Sequence, residues 1–297
     1  MSAHSTRRIV TGGCLAAAAL LVVPLGASQT AAGAQASLLV TVLASAKAPV
    51  ADLTASDFKV HDGNQSIAVA SAEHVTTPLA IELIVENTLP PMSAAPRTRE
   101  LRTSLRAFVD AIRAGNADAK IGVFTDAPAT VPVVGLNAPP ADLDTSITNL
   151  TPAHLQSGTL LEALVDAGHA LAEAPARRRA IVAIDFASPD PTPRAVVLNI
   201  EGAVFGSRAT VWSVSVVAGS PETPQRDEML DGLTKDSGGH RQAIVGASGL
   251  QNQLKAIANS LLSQYQIQIA RPAGDLKLLK IETSKGKVMI SPLVSLQ

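Results

Sequence analysis

The sequence predicts an α/β fold in which a doubly wound, mostly parallel sheet carries a small β appendage formed by strands from the two ends of the chain. Two patterns indicate it. From residue 78 to residue 263, apolar runs of strand length alternate with amphipathic helical patterns, as in sheets covered by helices on both faces. Before and after that region, shorter alternating runs are separated by turn signals, which is typical of antiparallel strands.

The chain divides into four predicted segments. Residues 1–36 have the features of a signal peptide, residues 37–77 form a small N-terminal β unit, residues 78–263 form the α/β domain, and residues 264–297 form C-terminal strands that pair with the N-terminal unit. In chain order the predicted elements are strands 39–43, 58–60, 66–69 and 79–85, helix 97–114, strand 120–124, helix 160–171, strand 180–184, helix 195–205, strand 210–216, helices 226–235 and 250–262, strand 265–269, and a final hairpin of strands 276–282 and 287–291.

Local signals support these elements. Leu101, Leu105 and Phe108 recur at helical spacing in the first helix, and Gly115 stands where a C-terminal cap is expected. The turn signal Asp62-Gly63-Asn64 precedes strand 66–69. The predicted strands of the central region are mostly apolar, which indicates that both of their faces are buried.

Composition excludes several classes of partner. The 297 residues are 46% hydrophobic and 16% charged, which is enough apolar material for one large core or for one medium core plus a small appendage. The formal net charge of −1 gives no overall attraction for nucleic acid or anionic lipid. Only 2% of the residues are aromatic, which disfavours stacking on bases. We therefore expect no nucleic-acid partner.

The N-terminal segment predicts export. Arg7-Arg8 precede a short apolar run, and Ala34-Gln35-Ala36 supplies small residues at the spacing that a signal peptidase recognises. The mature protein would begin near Ser37 and be periplasmic or extracellular, with no membrane insertion after cleavage. Cleavage would also remove Cys14, the only cysteine, so the mature domain would have neither disulfides nor thiol chemistry. An uncleaved membrane anchor is the alternative.

Four segments, taken in order, resemble the von Willebrand factor A-related domain family, in particular its exported acidobacterial-type members. Residues 50–63 are similar to the family's opening pattern, which contains a Leu-Thr pair and an Asp-Phe pair and ends in Asp-Gly. Residues 158–164 resemble its Gly-Gly-Thr segment, residues 236–239 its Thr-Gly-Gly segment, and residues 257–265 its closing pattern that ends in Gln-Tyr. The resemblance extends from about Leu38 to the C-terminus.

The resemblance implies a crevice at the carboxyl edge of the sheet, where the family holds a divalent cation. By position, Thr159 and Asp185 match the family's threonine and aspartate ligands. Thr159 also has a simpler interpretation as a helix N-cap, and Asp185 as a strand-end carboxylate that binds loop amides.

The family's first ligand loop, Asp-x-Ser-x-Ser, is degenerate in this chain. One alignment places Glu86, Thr88 and Pro90 at the three ligand positions, and the other places Asn87, Leu89 and Pro91 there. Leucine and proline side chains offer no lone pair, and Mg²⁺ requires several oxygen ligands. We therefore expect no cofactor. A weak Mg²⁺ site formed by Glu86, Thr88, Thr159 and Asp185 is the alternative.

The sequence contains no G-x-S-x-G elbow, no phosphate-binding loop and no H-E-x-x-H motif. The run Arg177-Arg178-Arg179 is interpreted as a solvated corner.

The combined interpretation is an exported, non-enzymatic, adhesion-like domain that binds a protein partner, in the cell envelope, without a metal ion. The crevice that contacts this partner is predicted to consist of Glu86, Asn87, Thr88, Thr159 and Asp185. A divalent-metal-dependent adhesion module, an uncharacterised hydrolase that depends on Asp185, and a structural domain with a vestigial crevice remain as alternatives.

Overall fold

The computed structural model describes residues 35–44, 48–88, 94–127, 129–153, 157–217, 224–270 and 279–296. The strands are β1 (Gln35–Leu43), β2 (Lys59–Asp62), β3 (Gln65–Ile67), β4 (Val69–His74), β5 (Leu79–Val85), β6 (Lys120–Thr125), β7 (Val131–Val134), β8 (Arg178–Asp185), β9 (Thr210–Val216), β10 (Arg241–Ile244), β11 (Tyr265–Ala270), β12 (Leu279–Glu282) and β13 (Lys287–Leu296). The α-helices are α1 (Ala94–Gly115), α2 (Pro140–Asn149), α3 (Leu160–Glu173), α4 (Arg194–Ser207), α5 (Pro224–Asp236) and α6 (Leu250–Leu262).

The predicted signal peptide lies outside the described residues, apart from its last two positions. Gln35 and Ala36 belong to β1, so the predicted mature start at Ser37 falls inside this strand. None of the helices in the described part of the chain is long and apolar enough to span a membrane.

A six-stranded sheet forms the centre of the fold, with the strand order β10-β9-β8-β5-β6-β7. All neighbouring strands are parallel except β7, which runs antiparallel to β6. Every residue of β5 and β9 is buried, as their mostly apolar sequences predict. The predicted doubly wound α/β fold is confirmed.

Two hydrophobic cores lie on the two faces of this sheet. Helices α1, α2 and α6 cover one face, where Phe108 and Trp212 are fully buried. Helices α3, α4 and α5 cover the other face, where Leu164, Ile200 and Leu230 have no exposed surface. Helices therefore cover both faces of the parallel strands. This leaves the strand ends, and in such folds ligands bind at the carboxyl ends.

The two chain ends form the predicted β appendage. One antiparallel sheet has the order β13-β1-β11-β4, and a smaller sheet has the order β12-β2-β3. The predicted final hairpin is wrong in its pairing, because β12 pairs with β2 whereas β13 pairs with β1. A single bridge between Thr283 and Gly286 is what remains of the hairpin. Each of the two strands packs its apolar side chains in a different sheet, and this packing is stronger than the pairing of a local hairpin.

Three elements of the structure were not predicted, and two strands were predicted as one. The predicted strand 66–69 is divided at Ala68 into β3 and β4. Helix α2 and strands β7 and β10 were not predicted. Strand β7 is mostly exposed and contains Pro132, and α2 begins at Pro140, so neither carries a clear apolar period.

Candidate functional site

Glu86 and Asp185 meet at the carboxyl edge of the central sheet. Asp185 is the last residue of β8, and Glu86 directly follows β5, its parallel neighbour. The ladder continues through Glu86, whose N–H donates to the Ile184 carbonyl over 2.9 Å. Both carboxyl groups are fully buried, with 0% exposure. Burying two acidic side chains this close together requires compensation by a positive charge or by protonation.

The compensating charge comes from Arg226, in the first turn of α5. Its guanidinium Nη2 lies 3.5 Å from Asp185 Oδ1, and its Nη1 lies 3.8 Å from Glu86 Oε2. Nη1 also donates to the Ser188 carbonyl over 2.5 Å. The side chain of Arg226 is 2% exposed. A fixed internal cation therefore lies between the two carboxylates.

Loop amides complete the surroundings of Glu86. The N–H of Phe186 donates to Oε2 over 2.6 Å, and the N–H of Ser188 donates to Oε1 over 3.2 Å. Between them Ala187 has a φ of 57°, a left-handed conformation that costs an alanine about 1 kcal/mol or more. The Thr88 hydroxyl donates to Oε1 over 2.5 Å. Burial raises the pKa of Glu86, while the hydrogen bonds from Ser188 and Thr88 and the charge of Arg226 lower it.

Asp185 is held by groups from its own loop and from β9. The Ala187 N–H donates to Oδ1 over 3.2 Å, and the Ser215 hydroxyl donates to Oδ2 over 2.6 Å. Arg241 Nε donates in turn to the Ser215 hydroxyl oxygen over 3.0 Å. Burial raises the pKa of Asp185, and the charge of Arg226 opposes that rise. The interpretation of Asp185 as a strand-end carboxylate bound by a loop amide agrees with this geometry.

Asn87 and Thr159 belong to a neighbouring cluster around Asp126. The Asn87 amide group exchanges two hydrogen bonds with the backbone of Ala127, and its own N–H donates to Asp126 Oδ1 over 3.1 Å. The Thr159 hydroxyl donates to the Asp126 carbonyl over 3.0 Å. Sequence reasoning missed Asp126, although its position directly after β6 places it at the same sheet edge. Burial raises the pKa of Asp126 well above its usual range.

Thr159 stands at the N-cap position of α3, as its interpretation as a helix cap expects, but its hydroxyl does not act as the cap. Its side chain makes no capping hydrogen bond to α3. The carboxylate of Asp190 takes that role, because Oδ2 accepts the N–H of Leu161 over 2.9 Å. Thr159 therefore uses its hydroxyl to join the β6 end to the start of α3.

The five predicted crevice residues differ in their accessibility. Glu86, Thr88 and Asp185 are at most 1% exposed, and Asn87 is 8% exposed. Thr159 is half-buried. The structure joins Glu86, Thr88 and Asp185 in one network and places Asn87 and Thr159 beside it, so four of the five side chains support the edge and present almost no surface.

These residues do not fit a divalent cation while Arg226 is in place. The guanidinium already lies 3.8 Å from Glu86 Oε2 and 3.5 Å from Asp185 Oδ1, and its positive charge would repel a second cation placed between them. In the described ranges, no group of three or more His, Cys, Asp or Glu side chains is arranged to hold a metal ion.

Comparison with known proteins supports the fold. No protein-family model and no curated protein sequence matches the chain. A von Willebrand factor type A structure from Catenulispora acidiphila is similar, with a TM-score of 0.51 and 10% identity over 90% of this chain and 74% of that chain.

Two further solved structures are similar over a smaller share of this chain. Proximal thread matrix protein 1 from the mussel byssus has a TM-score of 0.50 and 13% identity over 63% of this chain and 48% of its own length. The VWA domain of SpRpn10 has a TM-score of 0.47 and 14% identity over 60% of this chain and 95% of that domain. The fold is von Willebrand A-like, as the sequence resemblance implied.

Proposed function

We propose that this von Willebrand A-like domain is an exported, non-enzymatic module that binds a protein partner without a bridging metal ion. The observation that carries the proposal is the position of Arg226, whose guanidinium lies between Glu86 and Asp185. An internal cation on the chain itself removes the need for a soluble one at this edge.

The accessible part of the site is its rim. Ser188 and Asp190 are half-buried, Pro189 between them is exposed, and Thr159 lies beside them through the hydrogen bond from Gly158 N–H to the Pro189 carbonyl. The buried network fixes this loop, because Glu86 accepts two of its N–H groups and Arg226 binds its carbonyl. A loop fixed before binding loses little conformational entropy when a partner docks. Direct hydrogen bonds and shape would therefore provide recognition.

The hydrolase alternative is disfavoured by the surroundings of Asp185. A catalytic carboxylate must come within hydrogen-bonding distance of its substrate. Asp185 has no exposed surface, and its oxygens accept hydrogen bonds from Ala187 and Ser215.

Export is supported by residues 1–36, with the charged start and small-residue cleavage pattern described above. Sequencing the N-terminus of the protein recovered from its native cells tests this part. A mature chain that begins near Ser37 is expected, and a retained Met1 would contradict export through a cleaved signal.

Affinity capture from the native cell envelope tests partner binding. The chain is immobilised and offered the extract with and without EDTA, and captured proteins are compared. Pro189→Lys places a charged side chain on the rim without removing a hydrogen-bond donor, whereas Leu198→Lys changes a side chain on α4 that is 74% exposed. We expect capture that EDTA leaves unchanged, that Pro189→Lys abolishes and that Leu198→Lys preserves. Capture lost in EDTA would contradict metal independence.

A further inference from the structure

A large cleft lies at the opposite, amino end of the central sheet. It has a volume of about 810 Å³ and is bounded by the β5, β6 and β7 strands and by the C-terminal end of α3. Its deeper wall contains Ala80, Glu82 and Phe124, which are all buried. The residues that line it are mostly apolar, so Glu82 is a polar group set in an apolar surface.

Glu82 interrupts the apolar run of β5, the middle of the sheet. Its side chain is 1% exposed, and its Oε2 has no hydrogen-bond partner among the described residues. Gly122 is its register partner on β6, and a Cβ atom on this glycine would lie 2.3 Å from Glu82 Oε2. The carboxyl group therefore lies over the bare backbone of Gly122, in space that only glycine leaves free. A buried polar atom without a partner is costly, and such atoms in native proteins call for an explanation.

We propose that this cleft is a second binding site, which takes a small organic amine through an ion pair between its ammonium group and Glu82. The ammonium group supplies the hydrogen-bond donors that Oε2 lacks, and an apolar body fits the remaining wall. Phe124 lies two residues beyond Gly122 on β6, on the same side of the sheet as Glu82, and both side chains line the cleft. Aromatic rings attract ammonium ions. The site is independent of the proposed partner-binding edge.

The protonation state of Glu82 should make amine binding depend on pH. Burial raises its pKa to about 8, so the free cleft holds a neutral acid at lower pH. Binding an ammonium ion then releases the Glu82 proton to solvent, and the complex contains one carboxylate and one ammonium. Affinity should rise about tenfold per pH unit up to the pKa of Glu82 and then level off.

Four charged side chains line the entrance of the cleft. Asp118, Lys120, Glu173 and Arg177 are all exposed, with two charges of each sign. They cancel one another in net charge, and solvent screens them. The pH dependence is therefore assigned to Glu82.

Titration calorimetry of the full chain with benzylamine tests the proposal, with benzyl alcohol as a neutral probe of similar shape. We expect benzylamine to bind, with affinity that rises by roughly tenfold from pH 6 to pH 7, less steeply towards pH 8, and with release of about one proton at pH 6. Benzyl alcohol should bind more weakly and without pH dependence.

Two variants complete the design. Glu82→Gln keeps the size of the side chain and should lower benzylamine affinity at pH 8 at least tenfold. Glu173→Gln at the cleft entrance is the matched control and should leave affinity within about twofold. If Glu82→Gln fails to fold, the pH dependence of benzylamine affinity in the native chain still tests the proposal. Absence of benzylamine binding, equal binding of benzyl alcohol, or a flat pH profile would overturn the proposal.

Discussion

Replacing Arg226 with methionine should destabilise the domain strongly, because it leaves Glu86 and Asp185 buried without a counter-charge. At distances of 3.5 and 3.8 Å and an effective dielectric constant of 20, each contact corresponds to about 4 to 5 kcal/mol of Coulomb energy. The desolvation of a guanidinium that is 2% exposed offsets part of that energy. Removing one partner of a buried ion pair costs about 3 to 5 kcal/mol in other proteins, and we expect a loss in this range.

The loss should depend on pH. Without Arg226, the pKa values of Glu86 and Asp185 rise further above their values in the unfolded chain. When folding raises the pKa of a carboxyl group, the free energy of unfolding falls as pH increases from the pKa of the unfolded chain to that of the folded chain. The penalty of Arg226→Met should therefore be smaller at pH 5 than at pH 8.

Urea denaturation at both pH values measures this effect as a change in the free energy of unfolding. Arg99→Met, which removes an exposed arginine from α1, is the matched control and should change stability by less than about 0.5 kcal/mol. A loss below about 1 kcal/mol for Arg226→Met, or an equal loss at both pH values, would refute the assignment of Arg226 as the internal counter-charge.

Three further predictions concern the buried polar groups. The rise of the Glu82 pKa from 4.5 to about 8 corresponds to about 5 kcal/mol. The free energy of unfolding of the native chain should fall by this amount between pH 4.5 and pH 8, whereas that of Glu82→Gln should not. Urea denaturation at a series of pH values measures both. Gly122→Ala should cost about 1 to 3 kcal/mol through contact with the Glu82 carboxyl group, and a double-mutant cycle should show that Glu82→Ala removes most of that cost. Arg178→Lys should lower the free energy of unfolding by about 2 to 4 kcal/mol, because one ammonium group cannot replace a guanidinium that binds three backbone carbonyls and Gln264; thermal and urea unfolding that match the native chain would contradict this.

Arg178 also shows where sequence reasoning fails. The run of three arginines was interpreted as a solvated corner, and this interpretation is wrong for Arg178, which is 2% exposed. Its acceptors, Val75, Thr77, Leu261 and Gln264, come from segments up to 103 residues away. No local pattern indicates such a set of partners.

The fold was predictable where a single segment carries its own pattern. Strands β5 and β9 and helix α6 have the bounds expected from their apolar periods, because burial on one or both faces dictates which residues are apolar. The pairing of β12 and β13 depends on which sheet each strand reaches, and the local hairpin signal between them was misleading.

The candidate site was predictable in part for the same reason. Asp185 ends one apolar strand and Glu86 directly follows its neighbour, and parallel strands bring such positions together. Arg226 comes from a polar helix and resembles any other charged residue at a helix start. Its role arises only when α5 packs over the strand ends, so the sequence predicted the carboxylates and missed their counter-charge. Glu82 could have been recognised from the sequence, because it is a single acidic residue inside an otherwise apolar strand.

Thermal unfolding of the native chain with Mg²⁺ or Mn²⁺ and with EDTA tests most directly whether Arg226 stands in for a bound cation. A metal ion that binds the folded state at about 100 times its Kd would add about 2.7 kcal/mol of stability and raise the Tm. We predict the same Tm in metal and in EDTA. A Tm that rises with millimolar Mg²⁺ or Mn²⁺ and falls again in EDTA would contradict the account.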